Sequence, residues 1–196
     1  MPSTINQILC GLDEAGRGPL AGPVSAGAVI LPPEFPVEIL NDSKKLSPAA
    51  REKARIIICS QSVAWGIGWV SPAEIDKINI HNASLLAMKR AFEEMIKKMP
   101  ELTTHDIRAV SDGLFVPEIP TPCEALVKAD TLVPAVMAAS ILAKTARDRL
   151  MEYYSIFFPE YGYAQHKGYP TKAHREAILR FGPSAIQRMS FRVKEV

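Results

Sequence analysis

Apolar and polar positions divide this chain into short strands first and long helices later. Residues 7–13 carry an apolar run (Ile8, Leu9, Cys10, Leu12), and a turn of Gly16, Arg17, Gly18 and Pro19 follows. An apolar run closed by glycine and proline predicts a strand that ends in a bend. Residues 24–31 predict a second strand, a candidate partner for the first, before Pro32, Pro33 and Pro36 interrupt regular structure. Ser47 and Pro48 mark a helix start, because a serine hydroxyl caps free amides and proline suits the first helical position. Helix is expected over 48–60. Residues 62–70, with Trp65 and Trp69, predict a third strand, and Ser71-Pro72 caps a short helix running to Lys77. Leu85, Met88, Phe92, Met95 and Ile96 fall on one side of an amphipathic helix over 82–98, which Pro100 ends.

Residues 107–112 predict a fourth strand ending in Asp112-Gly113. After a loop with Pro117, Pro120 and Pro122, a short fifth strand is expected over 125–128, leading to Asp130. The longest helical pattern covers 133–158. Its first half is rich in alanine (positions 135, 138, 139, 143 and 146), so its backbone can lie close to a sheet. Thr171 caps a last helix that stops at Gly182-Pro183. Strands early, helices between them and the longest helix late describe an α/β domain with a mixed central sheet flanked by helices and a helical C-terminal segment. A single domain over 1–196 is expected, with 159–196 as a C-terminal extension.

Composition narrows the class. The chain has 196 residues, 47% hydrophobic and 22% charged, a balance that supports a packed core and excludes a disordered chain. No apolar run approaches the length of a membrane span, and the first residues lack the basic and apolar regions of a secretory signal. A cytoplasmic protein with no membrane partner is expected. Cys10, Cys59 and Cys123 are odd in number, far apart and in no C-x-x-C, so they read as reduced thiols rather than a zinc site or disulfide framework. The net charge is +2, unevenly spread: from Lys128 onward 11 Lys/Arg face 6 Asp/Glu, which leaves the earlier part at −3. Such a chain can gather cations at one end and grip a polyanion with the other.

The candidate chemistry lies in four acids. Asp13 and Glu14 are adjacent where the first strand meets its turn, Asp112 ends the fourth strand, and Asp130 sits between the fifth strand and the alanine-rich helix. Taken singly, each has an ordinary explanation: a solvated strand tip, a turn dipeptide, a helix cap. Taken together, they are carboxylates at positions that strands of one sheet can bring within a few ångströms. Like charges that close oppose each other's ionisation. A hard divalent cation, Mg2+ or Mn2+, resolves the conflict, and the scarcity of Cys and His nearby argues against zinc. Strand alternation sends Asp13 and Glu14 to opposite faces unless the backbone bends between them. A pair of such ions supports phosphodiester hydrolysis with no side-chain nucleophile. The chain has no G-x-S-x-G, no Cys/His constellation and no G-x-x-x-x-G-K-[ST].

The segment Asp13-Glu-Ala-Gly-Arg-Gly-Pro-Leu-Ala-Gly-Pro-Val24 resembles the signature of the ribonuclease HII family, the type 2 ribonucleases H. The likeness continues through Asn41-Asp-Ser-Lys-Lys-Leu-Ser47, Ile78 to Met88, Lys128-Ala-Asp130, Ala138 to Asp148, and His166-Lys-Gly-Tyr-Pro-Thr171 with His174. It spans nearly the whole chain in the family's order, at a length that resembles the bacterial members. The resemblance implies a ribonuclease H-like fold. It implies metal-dependent cleavage of RNA in RNA–DNA hybrids and at single ribonucleotides embedded in duplex DNA, leaving 3′-hydroxyl and 5′-phosphate ends.

The family's four carboxylates fall on Asp13, Glu14, Asp112 and Asp130, which would hold two Mg2+ or Mn2+ ions. Gly16, Arg17 and Gly18 would read the ribose 2′-hydroxyl, the group that separates RNA from DNA. Tyr169 would stack on the adjoining deoxyribose. Lys44, Lys45 and Lys144 would contact phosphates, and 159–196 would serve substrate binding. One departure stands out: Leu114, Phe115 and Val116 follow Asp112-Gly113 where the family often has a polar residue. A monomer is expected, and nothing in the short tail argues for a replication-clamp partner. The competing expectations are a non-catalytic nucleic-acid-binding protein on the same fold, which has no reason to keep four anions where phosphate must lie, and a hydrolase of small phosphoesters.

Overall fold

The structure is a computed structural model, and it describes residues 7–41, 43, 46–101 and 103–193. The strands β1 (Ile8–Ala15), β2 (Val24–Ile30), β3 (Ala64–Val70), β4 (Ile107–Asp112) and β5 (Cys123–Leu126) form one sheet in the order β3-β2-β1-β4-β5. Its β1–β2 and β2–β3 pairs are antiparallel, and its β1–β4 and β4–β5 pairs are parallel. The mixed sheet is the one expected. The parallel register sets Leu12 against Ser111, so the next residues along, Asp13 and Asp112, lie side by side at the carboxyl ends of adjacent strands.

The helices are α1 (Pro48–Gln61), α2 (Pro72–Ile96), α3 (Ala129–Leu132), α4 (Pro134–Phe157), α5 (Tyr163–His166) and α6 (Lys172–Phe181). Alternation along the strands separates two cores. Cys10, Leu12, Ala26, Ala28 and Ile30 pack with α2 through Met88, Phe92 and Met95. Val29 packs on the other face with Ile141 and Leu142 of α4 and Ile58 of α1. Both helices lie close enough for backbone to touch backbone. A Cβ on Gly66 would stand 2.2 Å from the Ala91 carbonyl oxygen, and one on Gly11 would stand 2.1 Å from the Ala135 carbonyl carbon. Only glycine permits that approach.

Local chemistry explains where elements start. Ser47 accepts from the Ala50 amide at 3.2 Å, and Thr171 accepts from the His174 amide at 3.2 Å. Ser71 and Glu74 form a reciprocal capping box at the head of α2. Three boundaries differ from expectation. Asn79 adopts φ 66°, ψ 166° and breaks α2 in two. Its side chain accepts from the Asn82 amide at 3.1 Å, so the second half begins at its own asparagine cap, before residue 82. The fifth strand pairs over 123–126 rather than 125–128. The long helix starts at Pro134 as expected, but Val133 before it, at φ −112°, ψ 112° in the extended conformation that a following proline imposes, closes off an unforeseen turn of helix over 129–132. Asp130 therefore occupies a separate one-turn helix, α3.

The C-terminal segment packs back on the Gly16–Pro23 turn. Tyr161 and Tyr163 stack at 5.5 Å and His166 and His174 at 4.5 Å, against a cluster that includes Ala21, Met151 and Ile186. Two arginines, Arg147 and Arg188, are almost wholly buried beneath the turn. Burial lowers both guanidinium pKa values, to about 10 for Arg147 and about 9 for Arg188, the latter also pressed by the charge of Arg147. Both stay charged at neutral pH. No helix among the described residues is long and apolar enough to cross a membrane.

Candidate active site

Asp13 sits near the end of β1, two residues before Ala15, and is 5% exposed. Its Oδ1 accepts from the Glu14 amide at 2.7 Å, and the Ser140 hydroxyl of α4 hydrogen-bonds to the same carboxylate. Burial holds its pKa well above the usual carboxylate range, and the charges of Glu14 and Asp112 push it the same way, against the Ser140 bond. Burial also raises Glu14, although Arg17 opposes the shift through a 3.3 Å ion pair. Asp112 ends β4, just before Gly113 at φ 106°. These three carboxylates act on one another at the end of the sheet. The fourth, Asp130, is buried in the first turn of α3, and its neighbour Ala129 packs on Val110 of β4, the strand that carries Asp112.

This donor set suits a hard divalent cation. Asp13 and Glu14, raised by burial and by the charge of Asp112, are held where an added positive charge is favourable, and all four acids offer oxygen donors. Among the described residues, no three Asp, Glu, His or Cys side chains close around an ion on their own. Mg2+ does not require that, because it keeps several waters and takes only one or two carboxylates together with phosphate oxygens.

Next to the acids the Gly16–Pro19 turn floors a cavity of about 490 Å³, with Ser43, Arg51, Ser140, Lys144 and Tyr169 on its walls. Gly16 has φ 99°, and a Cβ there would meet the Arg147 guanidinium at 2.1 Å. Tyr169 lies over Gly18, its ring edge 3.5 Å from where a Cβ would be. Lys144 bonds Asp148 at 2.7 Å and stands 5.9 Å from the Tyr169 ring centre. The structure thus brings Gly16, Arg17, Gly18, Lys144 and Tyr169 to one cavity beside Glu14. Lys44 and Lys45 lie outside the described residues.

Residues that sequence reasoning did not single out also belong here. Arg51 donates to the Ser43 and Leu46 carbonyls at 2.7 and 2.6 Å, tying α1 to the loop that carries the two lysines. Ser140 is bonded to Ser43 at 2.9 Å; its signal was a lone hydroxyl in an alanine-rich helix. Arg51 and Lys144 also line an adjoining cleft of about 570 Å³, where Arg149 and Lys167 pair with Glu52 and Glu152 and Asp148 pairs with both Arg51 and Lys144. The departure noted at Leu114 leaves an apolar rim: Leu114 is exposed and Phe115 stands edge-on to His81 at 4.5 Å.

Comparison with known proteins shows the family and the fold. The family described as ribonuclease HII matches residues 10–194. A ribonuclease HII of Treponema denticola is 54% identical over 200 residues, covering 96% of this chain and all of the relative. Among solved structures, the PCNA:RNase HII complex from Archaeoglobus fulgidus superposes with a TM-score of 0.74 at 26% identity, over 96% of this chain and 97% of that one. A structure of Bst-RNase HIII in complex with Mn2+ shares the fold, with a TM-score of 0.72 at 16% identity over 95% of this chain and 67% of that one.

Proposed function

The chain belongs to the ribonuclease HII family, and from that membership we propose that Asp13, Glu14, Asp112 and Asp130 hold two Mg2+ or Mn2+ ions for cleavage beside a ribonucleotide. The enzyme is an endoribonuclease acting on RNA in RNA–DNA hybrids. The observation that carries the site assignment is that burial raises both Asp13 and Glu14 on adjacent residues, with the charge of Asp112 adding to both and that of Glu14 adding to Asp13. A protein keeps buried anions together at such a cost only where a cation or substrate relieves them.

Bound divalent ions supply an activated water and offset the charge that develops on the phosphate and the departing 3′-oxygen. The chain's own groups do the rest. Asp13, next to Glu14 along the chain and to Asp112 across β1 and β4, would be the carboxylate that serves both ions. Ser140 fixes the Asp13 carboxylate by a hydrogen bond. Gly16, Arg17 and Gly18 bring backbone within reach of a 2′-hydroxyl, since a turn without Cβ atoms allows close approach. Tyr169, over Gly18, packs on the sugar that follows. Lys144, with Lys44 and Lys45, contacts phosphates and sets the duplex register. The extension over 159–196 forms the far wall of the substrate groove in a single-domain monomer. The physiological role that fits is removal of single ribonucleotides from DNA in the cytoplasm.

The test is cleavage of a DNA duplex with one ribonucleotide, in Mg2+ or Mn2+, by wild type and Asp13→Asn. One cut on the 5′ side of the ribonucleotide, leaving 3′-hydroxyl and 5′-phosphate ends and lost in the variant, is the expected outcome. Undiminished cleavage by Asp13→Asn would remove the metal-site assignment.

A further inference from the structure

Arg188 lies far from the four acids in sequence, in the segment after α6, and is fully buried. Its guanidinium faces the inner side of the Gly16–Pro23 turn. It donates to the carbonyls of Gly16 at 2.6 Å, Gly22 at 2.8 Å, Arg17 at 3.0 Å and Pro23 at 3.2 Å. Its own amide donates to the Leu20 carbonyl at 2.9 Å, and Gly22 returns a bond to Ile186 at 2.8 Å. Asp76 of α2 locks the next two residues by accepting from the Met189 and Ser190 amides, each at 2.9 Å. Arg188 is therefore held on both sides, and it holds the turn.

The peptide bond is planar and trans, so a carbonyl and the amide N–H of the same unit point in opposite directions. Turning the Gly16 and Arg17 carbonyls inward to Arg188 turns the Arg17 and Gly18 N–H groups outward. Neither amide donates to a protein group among the described residues, and both residues are exposed on the floor of the cavity beneath Tyr169. We infer that Arg188 is a positioning residue for substrate recognition: it sets the two peptide planes so that the Arg17 and Gly18 amides face the ribonucleotide as preorganised donors. This deepens the reading of the Gly16–Gly18 turn as the reader of the ribose and rests on it. Lysine cannot replace Arg188, because an ammonium lacks the planar fork that reaches four carbonyls at once.

The experiment compares wild type and Arg188→Lys on two duplexes of one sequence. Cleavage kinetics are measured on the duplex with a single ribonucleotide, and the all-DNA duplex is used as a competitive inhibitor. Loss of one or two aligned donors to a substrate oxygen lowers kcat/KM by about tenfold to a hundredfold, while the inhibition constant of the all-DNA duplex stays within twofold. A merely structural defect lowers the active fraction and leaves KM and the inhibition constant alone; Met95→Ala, in the α2 core, is the control for that behaviour. An unchanged kcat/KM in a folded Arg188→Lys overturns the inference. If wild type prefers the ribonucleotide duplex no more than all-DNA, the ribose reading of the turn itself fails. Amide exchange in wild type covers the case in which the variant does not fold. Protection of the Arg17 and Gly18 amides by the ribonucleotide duplex and not by all-DNA is expected, and absence of that protection refutes the proposal.

Discussion

Gly11→Ala is the substitution in which packing and catalysis are most directly joined. Gly11 lies under the first turn of α4, and an added Cβ would stand 2.1 Å from the Ala135 carbonyl carbon and 2.3 Å from the Val136 nitrogen. Those are backbone atoms and cannot rotate away. Ordinary contact begins near 3.4 Å, so the helix start must retreat by about 1 Å or more in an interior packed to crystal density. Overpacking of this kind costs about 1–3 kcal/mol. For a chain of this size that lowers the melting temperature by about 2–12 °C. The same displacement moves Ser140, which orients Asp13, and α3, which carries Asp130. A misplacement of about 1 Å costs on the order of a hundredfold in rate. Gly66→Ala provides the contrast. Its Cβ would meet the Ala91 carbonyl oxygen at 2.2 Å, an equal overlap, but against α2 near its end and away from the acids. Thermal unfolding with single-turnover cleavage should show comparable melting losses for both and a large rate loss for Gly11→Ala alone. Equal rate losses, or a fully active Gly11→Ala, would refute the claim that glycine packing beneath α4 sets the geometry of the site.

Asp13→Asn should abolish cleavage yet stabilise the metal-free protein at neutral pH. A carboxylate whose folded pKa is raised contributes stability that is present in acid and lost as pH rises through the folded value. Metal-free wild type should therefore melt lower as pH rises from acid toward neutral, and the variant should show a flatter profile; parallel profiles would contradict the burial of an ionisable Asp13. Added Mg2+ or Mn2+ should raise the melting temperature of wild type at neutral pH and leave Asp13→Asn unmoved, as differential scanning fluorimetry would show. Lys144→Ala should weaken duplex binding alike for every sequence and reduce the slope of log affinity against log salt by about one. An unchanged slope would mean that Lys144 serves only its bond to Asp148. Tyr169→Ala should reduce cleavage at single embedded ribonucleotides more than cleavage of continuous RNA–DNA hybrids, with Tyr169→Phe close to wild type, because packing on a sugar needs the ring and not the hydroxyl. Equal losses on both substrates would remove the stacking role.

Much of this architecture could be read along the chain because the signals are local. Ser47, Ser71 and Thr171 cap helices through bonds to amides three residues away, and β1 through β4 follow from apolar runs bounded by Gly and Pro. The boundaries that moved also have local causes that outweigh periodicity. Pro134 forces Val133 out of helical geometry, and this detaches α3 and places Asp130 on its own turn. Asn79 ends one helix and caps the next by adopting a left-handed φ, which asparagine tolerates and apolar periodicity does not register. Within the site, Asp13 and Asp112 could be paired from sequence because both end apolar runs, and a shared sheet then sets them side by side. Alternation was expected to separate Asp13 from Glu14. The pairing of β1 with β2 continues through Ala15, so Asp13 faces Ser140 of α4 and Glu14 the α2 side, yet the charge of Glu14 still reaches Asp13 from the next residue.

What sequence could not disclose is the support beneath the turn. Arg147 and Arg188 look like two of the many basic residues of the C-terminal half, and counting charge assigns them to polyanion binding. Both instead spend their donors on carbonyls of the Gly16–Pro23 segment. Arg147 donates to Pro23 at 2.9 Å and Ala21 at 3.1 Å, and Arg188 takes Gly16, Arg17, Gly22 and Pro23. Arg147 gives a further bond to the Lys167 carbonyl at 2.9 Å, but the acceptors in the turn are backbone groups more than 120 positions away, so no nearby residue marks this role. The basic excess of the C-terminal half therefore divides into two physical roles. Groups such as Lys144 and Lys167 line a surface cleft, while the buried pair keeps a glycine-rich turn from relaxing. Glycines give that turn room for close approach by another group and also its freedom to move, so a fixed surface there requires rigidity supplied from outside the turn. That rigidity comes from Arg147 of α4 and from Arg188 after α6, whose bonds to the turn pack the C-terminal segment on the start of the sheet.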